Sequence, residues 1–313
     1  MRSRLLSVTT LGLMMLSLLG LGAAQAAPAT PAAPAAPAAA QKVFFTFYGW
    51  WDNTPPGGAI AYPQIHNTAG GKGTYADPIT LATSKKELKP GTKVWVPRVK
   101  KYFIMEDDCS ACNQEWDGQG PNGGPKLWHF DLWIGGKGGN AMNAIDCEDA
   151  LTNYHPDGKP VMEESIINPP SNLTVDPTPI FNTSTGECYG GAKPKTTVGE
   201  YKNTATGQCL ENPGDSTKPG TALKVAACNN STAQRFSFHG AFMEHNKLCT
   251  AQSGSNVVLN KCDGGPKQQW SVNPNGTISD MQSNTKCYRA SGGNVTAGKC
   301  SGNESKWVFK SAV

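Results

Sequence analysis

Three cysteines near the C-terminal end, Cys209, Cys249 and Cys287, stand 40 and 38 residues apart, and each is followed by a second, Cys228, Cys262 and Cys300. After each pair comes a triplet ending in an aromatic: Gln234-Arg235-Phe236, Gln268-Gln269-Trp270 and Ser305-Lys306-Trp307. A unit of this length cannot bury its own aromatic, so three copies must share one core. Short runs of Val, Leu and Phe between Gly, Asn and Ser turns read as about a dozen short strands around a pseudo-threefold axis. Pairing the cysteines within each repeat, Cys209 with Cys228, Cys249 with Cys262 and Cys287 with Cys300, closes short loops, each worth about 3 kcal/mol through loop entropy.

The chain has 313 residues and ten cysteines, an even number. Arg2 and Arg4 precede an apolar run from Leu11 to Leu21 and a small-x-small site, Ala24-Gln25-Ala26. Together these read as a secretory signal peptide over residues 1–26. An Ala/Pro-rich spacer follows over 27–42, with nothing to bury. The expected location is therefore secreted and extracellular, where disulfides are the default. The charged fraction is 17% and the net charge +4, falling to +2 once a leader with two Arg and no acid is removed. That balance, with no basic run, excludes nucleic acid as a partner. The long apolar stretch at the N-terminus leaves no membrane span after cleavage. His66, His155, His239 and His245 lack metal spacing, and no Ser/His/Asp arrangement stands out, so no metal or cofactor is expected, and a monomer is. Asn172, Asn182, Asn230, Asn275, Asn294 and Asn303, with Asn229 overlapping, head Asn-x-Ser/Thr acceptors for glycans in a eukaryotic secretory host.

The cysteine and Gln-x-Trp pattern resembles the ricin-B-type β-trefoil, over residues 196–313. Members of that family bind sugars through an Asp two residues after the first cysteine, an aromatic platform before the second, and an Asn-Gln pair. Here the Asp position holds Glu211, Ala251 and Arg289, and the platform position Ala226, Asn260 and Gly298. The resemblance thus implies a trefoil with degenerate sugar sites. The unit starting at Cys209 keeps the best remnant, through Glu211 and Asn229. Gln234 and Gln268 are weak lectin-like candidates, read mainly as structural hydrogen-bonding residues beside core aromatics.

From residue 43 to 163 the pattern changes. Val43–Gly49, Lys93–Pro97, Lys101–Met105 and Leu127–Ile134 read as strands, and Ala144–Asn153 as one short helix. Residues 164–195, rich in Pro and Asn, read as a connector. Carboxylates cluster here: Glu106-Asp107-Asp108 ends one strand, and Asp131 sits inside another. Strand alternation puts His129, Asp131 and Trp133 on one face. An acid beside an aromatic suits a sugar subsite, and hydrolysis would need a second carboxylate, for which Asp52 in Gly49-Trp50-Trp51-Asp52 is the candidate. The alternative for these aspartates is turn capping.

Thr46-Phe47-Tyr48-Gly49 and His129-Phe130-Asp131-Leu132 resemble the opening and closing motifs of the double-psi β-barrels of expansins, barwin and barwin-like endoglucanases. Tyr75-Ala76-Asp77-Pro78, the Leu88 to Pro97 run and Glu106-Asp107-Asp108 are similar to related rare-lipoprotein-A-like barrels. The expected fold is all-β: a six-stranded double-psi β-barrel plus a C-terminal β-trefoil. The resemblance implies Asp131 as the acid, Asp52 and Asp108 as further catalytic candidates, and a groove lined by Tyr48, Trp50, Asp107, His129 and Trp133.

Cys109 and Cys112 with Cys147 and Cys188 allow three disulfide pairings. A bond from Cys109 or Cys112 to Cys147 is expected, tying the Asp108 loop near the Asp131 strand. Two functions remain in view. One is a secreted protein that binds or remodels cell-wall polysaccharide or a glycoconjugate, with glycoside hydrolase and lytic-transglycosylase chemistry both open. The other is a non-catalytic binding or protease-inhibitory protein with a degenerate trefoil.

Overall fold

The computed structural model describes residues 38–312 apart from Thr54 and Asn284. The expected leader, 1–26, and residues 27–37 of the spacer lie outside them. The N-terminal body has six strands: β1 Ala39–Tyr48, β2 Ile79–Ala82, β3 Lys93–Val96, β4 Lys101–Asp107, β5 His129–Trp133 and β6 Met162–Ile167. They close into a barrel in the order β1-β5-β2-β4-β3-β6. Two neighbouring pairs, β1 with β5 and β2 with β4, are parallel. Alternation along β1 sends Val43, Phe45 and Phe47 into an apolar core with Leu81, Val94, Phe103, Phe130 and Leu132. The register sets Thr46 opposite Asp131 and Tyr48 opposite Trp133.

β1 takes in Ala39–Lys42 of the alanine-rich stretch. β6 closes the barrel against β1 and β3, although its Met-Glu-Glu-Ser-Ile-Ile sequence hides its strand character behind two charges. Two helices cross the loops, α1 Ser110–Trp116 and α2 Ala141–Leu151. α2 begins three residues before the expected Ala144, because the Asn140 side chain accepts from the Asn143 amide and caps it there.

The disulfides correct one expectation. Cys109 bonds Cys112, and Cys147 bonds Cys188. Cys109 is the N-cap of α1 and Cys112 lies in its first turn, so the two meet locally. Cys147, on α2, instead ties down the segment after β6. That segment lies on the barrel: Tyr102 donates to the Pro170 carbonyl (2.6 Å) and accepts from the Leu173 amide (2.9 Å), while Ile180 and Phe181 enter the core.

The C-terminal body has thirteen strands: β7 Thr197–Asn203, β8 Cys209–Glu211, β9 Thr221–Ala222, β10 Lys224–Ala226, β11 Phe236–His239, β12 Phe242–His245, β13 Leu248–Ser253, β14 Asn256–Lys261, β15 Trp270–Val272, β16 Ile278–Asp280, β17 Lys286–Ser291, β18 Asn294–Lys299 and β19 Trp307–Ser311. Phe236, Trp270 and Trp307 meet Tyr201, Leu210, Val257 and Tyr288 in one core, as a shared threefold core requires. The three expected disulfides form, Cys209–Cys228, Cys249–Cys262 and Cys287–Cys300.

The two bodies pack together through α2 and the Trp51 loop. Ile145 joins Ala241, Phe242 and Cys249 in an apolar seam edged by Trp51, Met142 and Met281. The buried Gln269 donates to the Trp51 carbonyl (3.1 Å), and His239 meets Asp146 (2.9 Å). Among the described residues no helix is long and apolar enough to cross a membrane.

Candidate functional site

Asp131 stands in β5 beside Thr46 of β1, whose hydroxyl donates to its carboxylate at 2.7 Å. A hydroxyl has one proton to give, so the contact from Thr46 Oγ1 to His129 Nε2 (2.8 Å) has the ring donating. The other ring nitrogen meets Glu115 of α1 at 2.5 Å, and Glu115 also accepts from the Asn122 side chain at 2.6 Å. Glu115, His129, Thr46 and Asp131 thus form one row of hydrogen bonds, buried at Glu115 and His129 and half-buried at Thr46 and Asp131, ending on the Asp131 carboxyl. Burial raises the pKa of Asp131, against the pull of the His129 charge and the Thr46 hydrogen bond.

Two further carboxyls share its field. Asp52, just past β1, titrates at about 7, first because it is desolvated and then because Asp131 repels its charge. Glu148 of α2 is raised well above its ordinary value by burial and by both aspartates. Glu148 is 5% exposed, and its Oε1 has no hydrogen-bond partner. Gly49 makes room for it: a Cβ there would come within 2.7 Å of that oxygen. Asp52 and Glu148 line a cavity of about 390 Å³ between the bodies, with Asp149 as a third carboxyl and Phe238, Val272 and Met281 as trefoil walls.

Asp131 and Asp52 are therefore brought together, and the other predicted residues divide. Asp107 accepts from Tyr48 (3.1 Å) and from the Ala61 and Asp108 amides. Asp108, expected as catalytic, accepts from Tyr62 (2.8 Å) and from Asn113 in α1, so it holds a loop to a helix start. Tyr48 is buried, its pKa raised by desolvation and by Asp107 and Asp131, and its ring meets Trp133 edge-on at 5.1 Å. His129 is buried and both its nitrogens are engaged, so it positions Thr46. Trp133 and Trp50 line a separate groove of about 410 Å³ with Gly135, Gly136 and Lys137.

Glu148, Thr46 and Glu115 were not among the residues the sequence singled out. The signal for Glu148 lies in its spacing: on α2 it shares a face with Ala144, Ile145 and Leu151, all buried. An acid on the apolar stripe of a helix has to be stabilised by partners or function. Thr46 and Glu115 carry no such mark.

In the C-terminal body, Gln234 accepts from the Asn229 amide and donates to Glu211 (2.7 Å) and to the Ala227 carbonyl. Gln268 accepts from the Asp263 and Gly264 amides and donates to the Lys261 carbonyl. Both glutamines brace the loop before their aromatic. Glu211 spends an oxygen on that bracing, and the Asn229 side chain accepts from the Ser231 amide.

Residues 197–311 match the family described as ricin-type beta-trefoil lectin domain. The C-terminal body is a ricin-B-type β-trefoil. Residues 40–189 match a second family, described as DDB_G0273701 N-terminal domain, which spans the barrel and the segment up to Tyr189. An uncharacterized protein of Dictyostelium discoideum is 46% identical over 143 residues, covering 46% of this chain and 57% of that protein. The chain thus spans little more than half of that relative. Among solved structures, the trefoil half is similar to an agglutinin from Abrus precatorius (17% identity, TM-score 0.33, 37% of this chain and 48% of that one). It is also similar to the C-terminal half of an earthworm R-type lectin solved with GalNAc (18% identity, TM-score 0.34, 37% and 98%). The assignment of the trefoil rests on the family match and the strand topology.

Proposed function

We propose that this protein is secreted and binds or remodels extracellular polysaccharide, with the barrel carrying the acting site around Asp131 and the trefoil serving as a carbohydrate-binding-type module. One observation carries the reading: Asp131 raises the proton affinity of Asp52, the two together raise that of Glu148, and Asp52 and Glu148 line the cavity between the bodies. Carboxyls whose environments push their proton affinities upward are what acid–base chemistry at a glycosidic bond requires. The two parallel strand pairs of the closed barrel support a double-psi type related to expansins. Five disulfides and a lectin-type domain agree with an extracellular setting. Two weak modules on one chain raise each other's effective concentration at a polymer surface.

A non-hydrolytic form of this function has its own support. The Thr46 hydroxyl donates to Asp131 and so favours its charged form over the protonated acid that cleavage requires. The test incubates mature protein and Asp131→Asn with insoluble chitin, cellulose and peptidoglycan, measuring protein retained and soluble sugar released. Release lost in the variant assigns cleavage to Asp131. Retention without release, equal in both, assigns binding or loosening, and neither retention nor release refutes the reading.

A further inference from the structure

We infer that the barrel groove between Trp50 and Lys137 binds a carboxylate-bearing, uronate-type sugar unit in preference to a neutral or cationic one. The inference rests on the polysaccharide reading above and names its substrate class. The groove holds about 410 Å³ and shares no lining residue with the cavity that carries Asp52 and Glu148. Lys137 is the one ionisable residue described in its lining. Its side chain is exposed, its ammonium lies over the Trp50 ring at 4.8 Å from the centre, and among the described residues no carboxylate pairs with it. An ammonium can take that place only where the indole face is open to the groove. A neutral ring is a weaker partner for a cation than a carboxylate is, so the charge is available to a ligand.

A pyranose ring with a carboxylate satisfies both groups at once. Its apolar face takes the place of the ammonium on the indole. The long stem of Lys137 lets the ammonium swing to the ring edge and meet the carboxylate there. The floor leaves room, because a Cβ on Gly135 would meet nothing within 4 Å. The groove also continues: Trp133 and Gly135 line a second hollow of about 300 Å³ as well. The charged residues described there are again lysines, Lys72 and Lys101, with no Asp or Glu beside them and with Ile79, Ile134 and Ile180 as apolar walls. Lys101 is buried and donates to the Asp176 carbonyl, while Lys72 lies 3.8 Å from Asp77. Two adjoining hollows of this size, with an indole face, apolar walls and cations of one sign, suit a run of anionic sugar units better than a small inorganic anion.

The experiment is calorimetric titration of the whole mature protein with three soluble probes: galacturonate tetramer, its methyl ester and glucosamine tetramer. The ester keeps the ring and removes the charge. The expected result is binding of the galacturonate tetramer at least about 10-fold tighter than the ester, and no binding of the glucosamine tetramer. Lys137→Gln should remove most of that preference, and Lys137→Arg should keep it, because the charge carries it. Lys137 is exposed, so these variants leave the core undisturbed. Trp50→Ala should weaken the galacturonate tetramer and its ester together, since both lose the indole face. Equal affinity for those two probes, no binding of the galacturonate, or a preference untouched by Lys137→Gln overturns the inference. So does Trp50→Ala binding both as tightly as the wild type, or displacement of the galacturonate by an equal concentration of inorganic phosphate. If the preference is absent while polymer retention or release still depends on Asp131, this inference falls and the proposed function stands. If the preference is present but neither insoluble calcium pectate nor the three polymers above are held or cut, the polysaccharide reading is what fails.

Discussion

His239 of the trefoil meets Asp146 of the barrel helix α2 at 2.9 Å, and its other ring nitrogen lies 3.2 Å from Glu244. The Asp146 hydrogen bond, then that to Glu244, raise its pKa to about 10 against the effect of burial. A ring whose folded pKa is raised stabilises in full below its unfolded value of 6.5, and the contribution is lost as pH rises through about 10. The wild type should therefore lose stability between neutrality and strongly alkaline pH more steeply than His239→Gln. The gap between the two at mildly acidic pH should be about 2 kcal/mol, the scale of a charged hydrogen bond. Chemical denaturation across that pH range checks it, and parallel curves would mean the contact adds nothing to the seam.

Asp52 acts in the same direction, over a lower range of pH. Its folded pKa of about 7 stands above the ordinary 3.8, so the native state binds the extra proton between those values. Its contribution is fully present below the unfolded pKa and is lost as pH rises through about 7. Asp52→Asn should flatten this part of the curve, and at pH values above 7 the variant should be the more stable protein, by up to a few kcal/mol as an order of magnitude. Unfolding midpoints at acidic and mildly alkaline pH, compared between the two proteins, test the sign. An Asn variant less stable at both ends would show that the Asp52 carboxylate has a partner in the native fold.

The parts of the molecule legible in the sequence are those where one residue type must recur. Phe236, Trp270 and Trp307 each follow the second cysteine of their disulfide at a nearly constant spacing, so the threefold core could be read directly. β1, β4 and β5 carry long apolar runs and were equally plain. β2 is four residues long, and β6 carries Glu163 and Glu164 right after its first residue, so neither rises above a loop without its neighbours. Cys147 could have paired with any of three partners, and only the path of residues 168–188 over the barrel selects Cys188. At the site, Asp131 and Asp52 were found through aromatic neighbours. Glu148 lies inside the helix read over 144–153, and its role depends on which face of α2 turns inward.

The row from Glu115 to Asp131 makes Thr46 the residue that conditions the acid. Thr46→Val keeps the shape of a β-branched strand residue and removes the hydroxyl. The Asp131 carboxyl then loses a donor that favours its charged form, so its pKa should rise further. Stability should fall by about 1–2 kcal/mol, since His129 Nε2 is left buried without its acceptor. Carbon-13 NMR of the labelled carboxyl, titrated in both proteins, reads the shift. A titration of Asp131 unchanged by the substitution would mean that the row is structural packing and does not tune the acid.

Gly264 and Gly254 separate what the seam between barrel and trefoil contributes from what their backbones cost. Both sit at positive φ, +71 and +60, where a side chain is strained. A Cβ on Gly264 would stand 2.6 Å from the Ala141 Cβ and 2.7 Å from the Met142 amide nitrogen, at the start of α2, whereas a Cβ on Gly254 would meet nothing within 4 Å. Gly254→Ala should therefore cost about 1 kcal/mol, the backbone term alone. Gly264→Ala should cost a further 1–3 kcal/mol or so, because α2 must retreat from the trefoil or distort against it. Retreat would open the cavity behind Glu148 to water, and the Asp52 carboxyl would then titrate closer to its ordinary value. Equilibrium denaturation of the two variants, with carbon-13 NMR of Asp52, follows both effects. Equal costs for the two alanines with Asp52 unmoved would show that the seam is loose and that the carboxyls owe their proton affinities to the barrel alone.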